Sequence, residues 1–294
     1  MKAVENVVSS IKKGRGVQVD AHDKDSIVAA AQGVDLILNG LPLECTKNVL
    51  DAALEVKANY QDYASTINLY DVWRNSEEGK KDNDGLADNV TSEATKEWID
   101  SLKAQYRIYG PKFKEIGKLA IIGTGSAPGL ICCATRAAMK HLDSCETIYN
   151  IVWEGVEAER FQPFWWSPET ALQDMMEPAY TYENGEIFVK EPFADPIVRQ
   201  YDYMDKPVTF QNHCHDEPVQ YGLNAEKYFK GCKNAYFKYA GVGMDFARPL
   251  YRAGLLGHEK EDIKGSMVEP FDVIINHIPK PPKFRHEIQE IIDE

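Results

Sequence analysis

The residues best suited to chemistry form one run of five, from His213 to Glu217, with the sequence His-Cys-His-Asp-Glu. Histidine, cysteine and carboxylate side chains bind zinc, and histidine also exchanges protons near neutral pH. In an extended strand, residues 213, 215 and 217 share one face, so at most three of these side chains converge. The sequence offers no second cluster for a fourth ligand. It therefore argues against a metal centre, and a structural strand edge stays open as an interpretation.

Asp62 is a second candidate, because it lies at the carboxyl end of a predicted strand. A carboxylate there can position an amine or exchange a proton, if partial burial raises its pKa. A solvated turn aspartate or a helix cap is an equal alternative. Asn39, Leu41 and Pro42 follow the preceding predicted strand, at the edge of a parallel sheet where α/β proteins bind ligands. A plain strand-to-helix connection is the alternative for these three residues.

A glycine-rich turn at residues 123–129 separates an apolar run, Leu119 to Ile122, from a helix-like segment. Its glycines allow a close backbone approach to a phosphate. However, the dinucleotide fingerprint G-x-G-x-x-G requires glycine where Pro128 stands. Three interpretations stay open: a phosphate loop, a structural turn with Pro128 near the first helical position, or a turn lining the cleft between two domains.

The elements that must position these residues follow two different patterns. The first sixty-five residues alternate as helix and strand, which is typical of a parallel α/β sheet. The predicted helices are 4–13, 25–32 and 44–56, and the predicted strands are 16–20, 34–38 and 58–63. A further helix from about residue 95 to 116 precedes the central strand.

Beyond residue 142 the pattern changes to short aromatic-rich strands separated by Pro and Gly turns, which indicates a mixed or antiparallel sheet. Ser167 is predicted as a helix N-cap. We expect two domains, an incomplete Rossmann-like domain at 1–128 and an α+β domain at 129–294. The predicted strands are 147–153, 179–181, 187–189, 208–211 and 235–239, and the predicted helices are 168–176 and 246–255.

The amino-acid composition argues against some classes of binding partner and indicates the cellular compartment. The 294 residues carry a net charge of −13, and a nucleic-acid binder needs a basic stripe that is absent here. No apolar run approaches the ~18 residues of a membrane span. The six cysteines form no CxxC pair, which is typical of free thiols. We therefore expect a cytoplasmic protein without nucleic-acid or membrane partners.

Several segments, taken in order, resemble the saccharopine dehydrogenase-like family of NAD(P)-dependent oxidoreductases, which includes saccharopine reductases, carboxynorspermidine dehydrogenase and lysine 6-dehydrogenase. No single motif is diagnostic, but their order is specific and covers most of the chain. The matching segments are VDLILNGLP (34–42), YQDYAS (60–65), GSAPGL (125–130), FWWSPETALQDMMEPAYTYENGEIFVKEPF (164–193), HDEPV (215–219), KNAYFKYAG (233–241) and ARPLYRAGLL (247–256).

The resemblance implies a Rossmann-like domain that binds NAD or NADP, a second domain with a mixed sheet used for homodimerisation, and hydride transfer at the C–N bond of an amino-acid-derived imine or secondary amine. It implies catalytic roles for Asp62 and His215, and a role for Glu217 in holding a small amino-acid-type substrate. Trp166 is expected as an apolar wall of the substrate site. Arg199, Arg248 and Arg252 are candidates for a carboxylate clamp, of which we select Arg199. The implied cofactor contacts are Asn39, Leu41, Pro42, Ser65, Gly125, Pro128 and Gly129.

The sequence departs from this family pattern at both ends. Family members open with a strand and a GxGxxG turn, whereas this chain opens with a predicted helix, and it stops where members of the family continue. Without the opening turn, the main anchor for the pyrophosphate is missing. We expect either a chain truncated at its N-terminus and possibly its C-terminus, or a degenerate relative that folds and dimerises without binding a dinucleotide.

Overall fold

A computed structural model of the chain describes residues 2–9, 11, 13–63, 75, 77, 79–81, 99–101, 104–156 and 158–293. The chain divides into two compact units, Met1–Ala134 and Thr135–Glu294. The border lies six residues beyond the position expected from the sequence. The expected pairing of a parallel α/β part with an α+β part on a mixed sheet is confirmed.

The first unit contains a three-stranded parallel sheet in the order β1-β2-β3. The strands are β1 (Leu36–Asn39), β2 (Asn59–Asp62) and β3 (Ala120–Ile121). In the parallel register Asn39 is the partner of Asp62, so both residues end their strands at the carboxyl edge of the sheet. The helices of this unit are α1 (Lys2–Ser9), α2 (Lys24–Ala30), α3 (Leu43–Glu55) and α4 (Gly110–Glu115), with a short 3-10 turn at Gly79–Lys81 and a π-helical turn at Gln105–Tyr109. Helix α5 (Leu130–Ala138) begins in the first unit and ends in the second, where a 3-10 turn at Met139–His141 follows it.

The core of the first unit forms where α3 packs on this sheet. Its apolar residues recur at helical spacing, so Val49, Leu50 and Ala53 lie on one buried face against Tyr60. Phe113 of α4 joins the same cluster. This packing fixes the carboxyl ends of β1 and β2, which carry the candidate residues.

The predicted strand at 16–20 is wrong, because residues 14–20 take no regular secondary structure. The alternation of Val17 and Val19 is typical of a strand, yet their exposed fractions are 46% and 39%. A strand forms only when its backbone finds a neighbouring ladder, and among the described residues β1 pairs with β2 alone. The predicted start of the helix at residue 95 lies outside the described residues.

The second unit is built on a six-stranded mixed sheet. Its central strand is β9 (Asn234–Gly241), which runs parallel to β4 (Thr147–Glu154) along its whole length. On its other side β9 pairs antiparallel with two strands, at Ala235 and at residues 238–239. The remaining strands of this sheet are β5 (Ala179–Glu183), β6 (Glu186–Lys190), β7 (Ile197–Arg199) and β8 (Val208–Asn212).

The helices of the second unit include α6 (Pro168–Met176), whose predicted cap is confirmed because Ser167 Oγ accepts from Thr170 N at 3.3 Å. The sequence missed strand β7 and the hairpin of β10 and β11. The other elements are α7 (Glu217–Leu223), α8 (Ala225–Tyr228), α9 (Val242–Arg252), β10 (Glu261–Ile263), β11 (Ser266–Val268), α10 (Pro270–His277) and α11 (Arg285–Ile292).

The extended conformation assumed for residues 213–217 is also wrong. Strand β8 ends at Asn212, and α7 begins at Glu217 with Asp216 as N-cap. The physical reason is the sequence Asp216-Glu217-Pro218, since proline is favoured in the first turn of a helix and an acidic group stabilises its N-terminus. The alternation argument therefore does not apply to this segment.

Among the described residues, no helix is long and apolar enough to cross a membrane.

Candidate functional site

The carboxyl edge of the first sheet holds a closed hydrogen-bond network. Asn39 Nδ2 donates to the Tyr60 hydroxyl at 3.0 Å, and that hydroxyl donates to Asp62 Oδ2 at 2.8 Å. The other carboxylate oxygen, Oδ1, accepts from Gly123 N at 2.7 Å. The parallel register of β1 and β2 places Asn39 beside Asp62 at this edge.

Asp62 is only 2% exposed, and both of its carboxylate oxygens are engaged. Burial raises the pKa of Asp62, although the bonds from Gly123 N and from the Tyr60 hydroxyl act in the opposite direction. Each oxygen of this carboxylate already has a donor, and because the side chain is buried its remaining lone pairs are closed to a ligand from solvent. This geometry favours a structural role that links β2 to the turn after β3.

The glycine turn packs on its own backbone. A Cβ atom added to Gly129, whose φ is +126°, would lie 2.6 Å from Gly125 O and 2.7 Å from Gly123 O. The first N–H groups of α5 are occupied by the turn, since Leu130 N donates to Gly125 O and Ile131 N to Ser126 O. The glycines are therefore explained by close backbone packing, and these two donors are not available to a phosphate.

Pro128 does not take the first helical position, because α5 begins at Leu130. The interpretation that placed Pro128 near that position is corrected, and the physical reason is that Gly129 reverses the chain before the helix begins.

The loop after β1 presents apolar surface to solvent. Leu41, Leu43 and Tyr63 are 46%, 51% and 49% exposed at this edge of the sheet. Asn39 Oδ1 accepts from Leu41 N at 3.0 Å and so fixes the start of the loop, which continues into α3 at Pro42. Ser65 lies outside the described residues.

A second polar cluster lies in the second unit, where His215 Nδ1 is 2.8 Å from Glu217 Oε2. The His215 ring stacks on Phe237 with ring centroids 4.0 Å apart. The Glu217 side chain is fully buried, and its other oxygen, Oε1, has no hydrogen-bond partner among the described residues. Burial lowers the pKa of His215, but the hydrogen bond and charge of Glu217, with Asp216 and Asp174, raise it overall.

His213 lies beside this pair, with its ring centroid 5.5 Å from that of His215 and 5.1 Å from that of Tyr239. It is 4% exposed, and its Nδ1 has no hydrogen-bond partner within the described parts of the chain. Burial, assisted by the neighbouring His215, lowers the pKa of His213 to about 3. His213 is therefore a neutral imidazole beside a more basic one.

Two acidic residues on or near α6 complete the cluster. Burial raises the pKa of Asp174 to about 7, with His215 acting in the opposite direction. Cys214 Sγ donates to Glu177 Oε2 at 3.6 Å. Burial and the nearby carboxylates raise the pKa of the Cys214 thiol well above its ordinary value, so it stays protonated and unreactive.

Trp166 lies at the edge of this arrangement and is 41% exposed. Its indole N–H and the Glu154 carboxylate both hydrogen-bond the Tyr239 hydroxyl. Trp166 is thus connected through Tyr239 to His213. The Tyr239 side chain therefore lies between Trp166 and His213.

Arg199 is not brought to the cluster. It is an exposed residue at the end of β7, and its Nη1 donates to Val198 O at 2.9 Å. In the ladder it pairs with Val208, the first residue of β8, whereas His213 follows the last. Val208 and Asn212, the two ends of β8, are four residue steps apart, which is ~13 Å of extended strand. Of the other candidates, Arg248 keeps a buried Nε without a hydrogen-bond partner in the described residues.

The sequence missed Asp174 and Glu154. Both lie in segments that were correctly predicted, α6 and β4, but periodicity gives no reason to separate a functional carboxylate from a solvated one. The signal for Asp174 is tertiary, since burial and neighbouring charges set its pKa, and Glu154 is distinguished by its hydrogen bond with the Tyr239 hydroxyl. No group of three or more His, Cys, Asp or Glu side chains in the described residues can hold a metal ion.

The chain is similar to known proteins over nearly its whole length, although a scan against protein-family models finds no match. It is 25% identical to carboxynorspermidine synthase of Vibrio alginolyticus over 94% of its length and 24% identical to carboxynorspermidine synthase of Vibrio cholerae over 96%. Its fold matches apo saccharopine dehydrogenase (L-Glu forming) from Saccharomyces cerevisiae with a TM-score of 0.59 at 11% identity, covering 99% of this chain and 62% of that one.

The chain is similar in sequence to carboxynorspermidine synthases and in fold to a saccharopine dehydrogenase. It spans about three fifths of the length of the curated relatives that it matches, 61% of one and 62% of the other. The resemblance to the saccharopine dehydrogenase-like family that the sequence motifs indicated is thereby confirmed as a similarity in sequence and in fold.

Proposed function

We propose that the chain is all or part of an NAD(P)-dependent oxidoreductase that transfers hydride at the C–N bond of an amino-acid-derived imine or secondary amine. In this proposal the second unit of the chain binds the amine. One observation carries the proposal: His215 and Glu217 form a buried pair at 2.8 Å beside Asp174, with Glu217 Oε1 unpaired among the described residues. The name of the two Vibrio relatives, a synthase of a carboxylated polyamine, supports an amine substrate.

The electrostatics of the cluster suit a cationic amine. Asp174, Glu177, Asp216 and Glu217 surround His215 and Cys214, as the causes of their pKa shifts indicate. Leaving a buried carboxylate oxygen without a donor costs free energy, and an ammonium group offers up to three N–H donors to remove that cost. We therefore assign Glu217 and Asp174 to binding the amine.

His215 is the residue that we assign to proton exchange. Its Nδ1 is held by Glu217, which leaves Nε2 for the substrate. The carboxylates around His215 raise the pKa of its ring, which favours the protonated form that a general acid requires. When the C=N π bond opens on hydride addition to carbon, the nitrogen takes one proton, and His215 Nε2 is the assigned donor.

The residues present fit the nicotinamide cofactor in part. The half-exposed apolar side chains at the carboxyl edge of the first sheet, Leu41, Leu43 and Tyr63, suit contact with a flat ring. Asn39 and Pro42 shape that loop, and Gly125, Pro128 and Gly129 belong to the neighbouring turn. For the phosphates, the first donors of α5 are already occupied by turn carbonyls. When bound, NADH or NADPH supplies the hydride.

The occupied donors of α5 favour a second candidate function, a non-catalytic relative that folds without binding a dinucleotide. In that case the amine cluster persists as a binding site. Homodimerisation and a cytoplasmic location remain predictions for either candidate.

Titration of this chain with NADH and NADPH by fluorescence tests the proposal. Micromolar binding is the expected result, and Gly125→Val is the matched variant for the turn. Loss of binding in that variant would mean that the phosphates of the nucleotide bind at the turn, whereas retained binding would mean that they bind elsewhere. No binding of either nucleotide up to millimolar concentration overturns the cofactor part of the proposal and leaves the non-catalytic candidate.

A further inference from the structure

We propose that His213 determines the amine class in the second unit by accepting a hydrogen bond from a primary ammonium group, and so selects primary amines over their N-methylated derivatives. This inference rests on the proposed function, because it requires that the His215–Glu217 cluster binds an amine.

The first step is the unusual state of the His213 ring. It is packed among His215, Phe237 and Tyr239, with ring centroids 5.5, 6.1 and 5.1 Å away. Its backbone N donates to Phe237 O at 3.4 Å, which fixes the residue at the end of β8. Yet Nδ1 is fully buried and takes no hydrogen bond from the described residues. A buried polar atom without a partner costs free energy, so a histidine that served only to pack would be poorly chosen for this position.

The second step is that His213 does not stand alone. Glu217 Oε1 and Gln211 Oε1 are also buried and unpaired within the described chain. Glu217 belongs to the same cluster, because its other oxygen binds His215, whose ring is the neighbour of His213. Gln211 lies two residues before His213 on β8 and pairs in the ladder with Tyr239, which also contacts His213. With Asn212 Oδ1, which is buried and unpaired as well, four unpaired polar atoms thus occur within seven residues of the described chain.

The third step concerns charge. Burial holds the pKa of His213 at about 3, so its ring is neutral and one of its nitrogens is an acceptor. An imidazolium would repel a cation, whereas a neutral ring accepts from it. A primary ammonium carries three N–H donors, a methylated one carries fewer, and each missing donor leaves one of these buried acceptors unpaired. Sites built around buried hydrogen bonds reject ligands that cannot complete them.

Calorimetric titration with 1,4-diaminobutane and with its N,N,N′,N′-tetramethyl derivative tests the inference. We expect wild-type protein to bind the primary diamine about 10-fold or more tightly than the methylated one. In His213→Phe, which keeps an aromatic ring but removes the acceptor, we expect this preference to fall to about 2-fold or less, mainly through weaker binding of the primary diamine.

Two outcomes separate the inference from the proposed function. If wild-type protein binds neither diamine, the amine assignment of the cluster fails, and the inference fails with it. If wild-type protein binds with a preference that His213→Phe retains, only the inference is overturned. Should thermal unfolding show that His213→Phe does not fold, His213→Leu decides, because its side chain is apolar and lacks an acceptor: a lost preference supports the inference and a retained one contradicts it.

Discussion

Asp62 in the first unit and Glu217 in the second are both buried carboxylates, but they differ in how many of their oxygens are hydrogen-bonded. Asp62 is 2% exposed and binds Gly123 N and the Tyr60 hydroxyl through its two oxygens. Glu217 is 0% exposed and binds His215 through one oxygen, while the other has no partner among the described residues. Burial alone therefore does not identify a functional carboxylate.

The difference lies in how completely the protein satisfies each group. A buried carboxylate whose oxygens are both bonded stabilises the fold, and removing it costs stability. A buried carboxylate with an unpaired oxygen raises the free energy of the folded protein, and a ligand that donates a hydrogen bond to that oxygen removes this cost. On this basis Asp62 links strand β2 to the glycine turn, and Glu217 is a binding group.

The largest expected effect is on Glu217. Glu217→Gln keeps the size of the side chain but removes its charge, so we expect the affinity for 1,4-diaminobutane to fall by about 100-fold. Calorimetry measures this change. Asp62→Asn is the matched control and should bind the diamine as wild type does. Equal losses in both variants would contradict the comparison.

The next effect is on the stability of Asp62→Asn. An amide offers only one oxygen as acceptor, so either Gly123 N–H or the Tyr60 hydroxyl loses its partner, and the free energy of unfolding should fall by about 2 kcal/mol. Urea denaturation measures the loss. A change below about 0.5 kcal/mol would show that the network is not structural.

The glycine turn provides a smaller effect of the same kind. Gly129→Ala forces a Cβ against Gly125 O and Gly123 O, whereas Gly117→Ala places it in open space. Both positions have positive φ, so both substitutions carry backbone strain of about 1 kcal/mol. We expect Gly129→Ala to lose about 1.5 kcal/mol more than Gly117→Ala, because backbone atoms must move. Equal unfolding midpoints in urea would mean that the turn is loosely packed.

The smallest effect is the pH dependence of amine binding through Asp174. Its pKa of about 7 means that the carboxyl is mostly neutral at pH 6 and mostly ionised at pH 8. Because the ionised form attracts a cation, the affinity of wild-type protein for the diamine should rise about 10-fold across this interval. Asp174→Asn should lose most of the rise. Glu169→Gln, an exposed carboxylate on the same helix, is the control and should keep it.

Much of the fold was predictable from the sequence because its signals are local. Apolar periodicity identified α3, and the Ser167 cap identified the start of α6. The predicted strand at 16–20 is wrong because this segment has no neighbouring strand to pair with, and strand pairing depends on the tertiary structure. The extended conformation predicted for residues 213–217 is wrong because a helix begins at Glu217.

The candidate site was predictable only in the types of its residues. His215 and Glu217 were selected from the sequence, and the structure brings them within 2.8 Å. Asp174 was not selected, because its burial depends on packing between elements distant in sequence. The different hydrogen bonding of Asp62 and Glu217 could not be predicted either, since it depends on partners such as Gly123, which lies about sixty residues from Asp62 in the sequence.

The most direct test of the central claim is an NMR titration with 1,4-diaminobutane that follows the ¹⁵N resonances of the His213 and His215 rings and of the Gly123 amide, which reports on Asp62. We predict that the ring nitrogens of both histidines shift with a common saturation curve while the Gly123 amide does not move. A shift at Gly123 with unchanged histidine rings, or no response of either histidine up to millimolar diamine, would contradict the assignment of the amine site to the second unit.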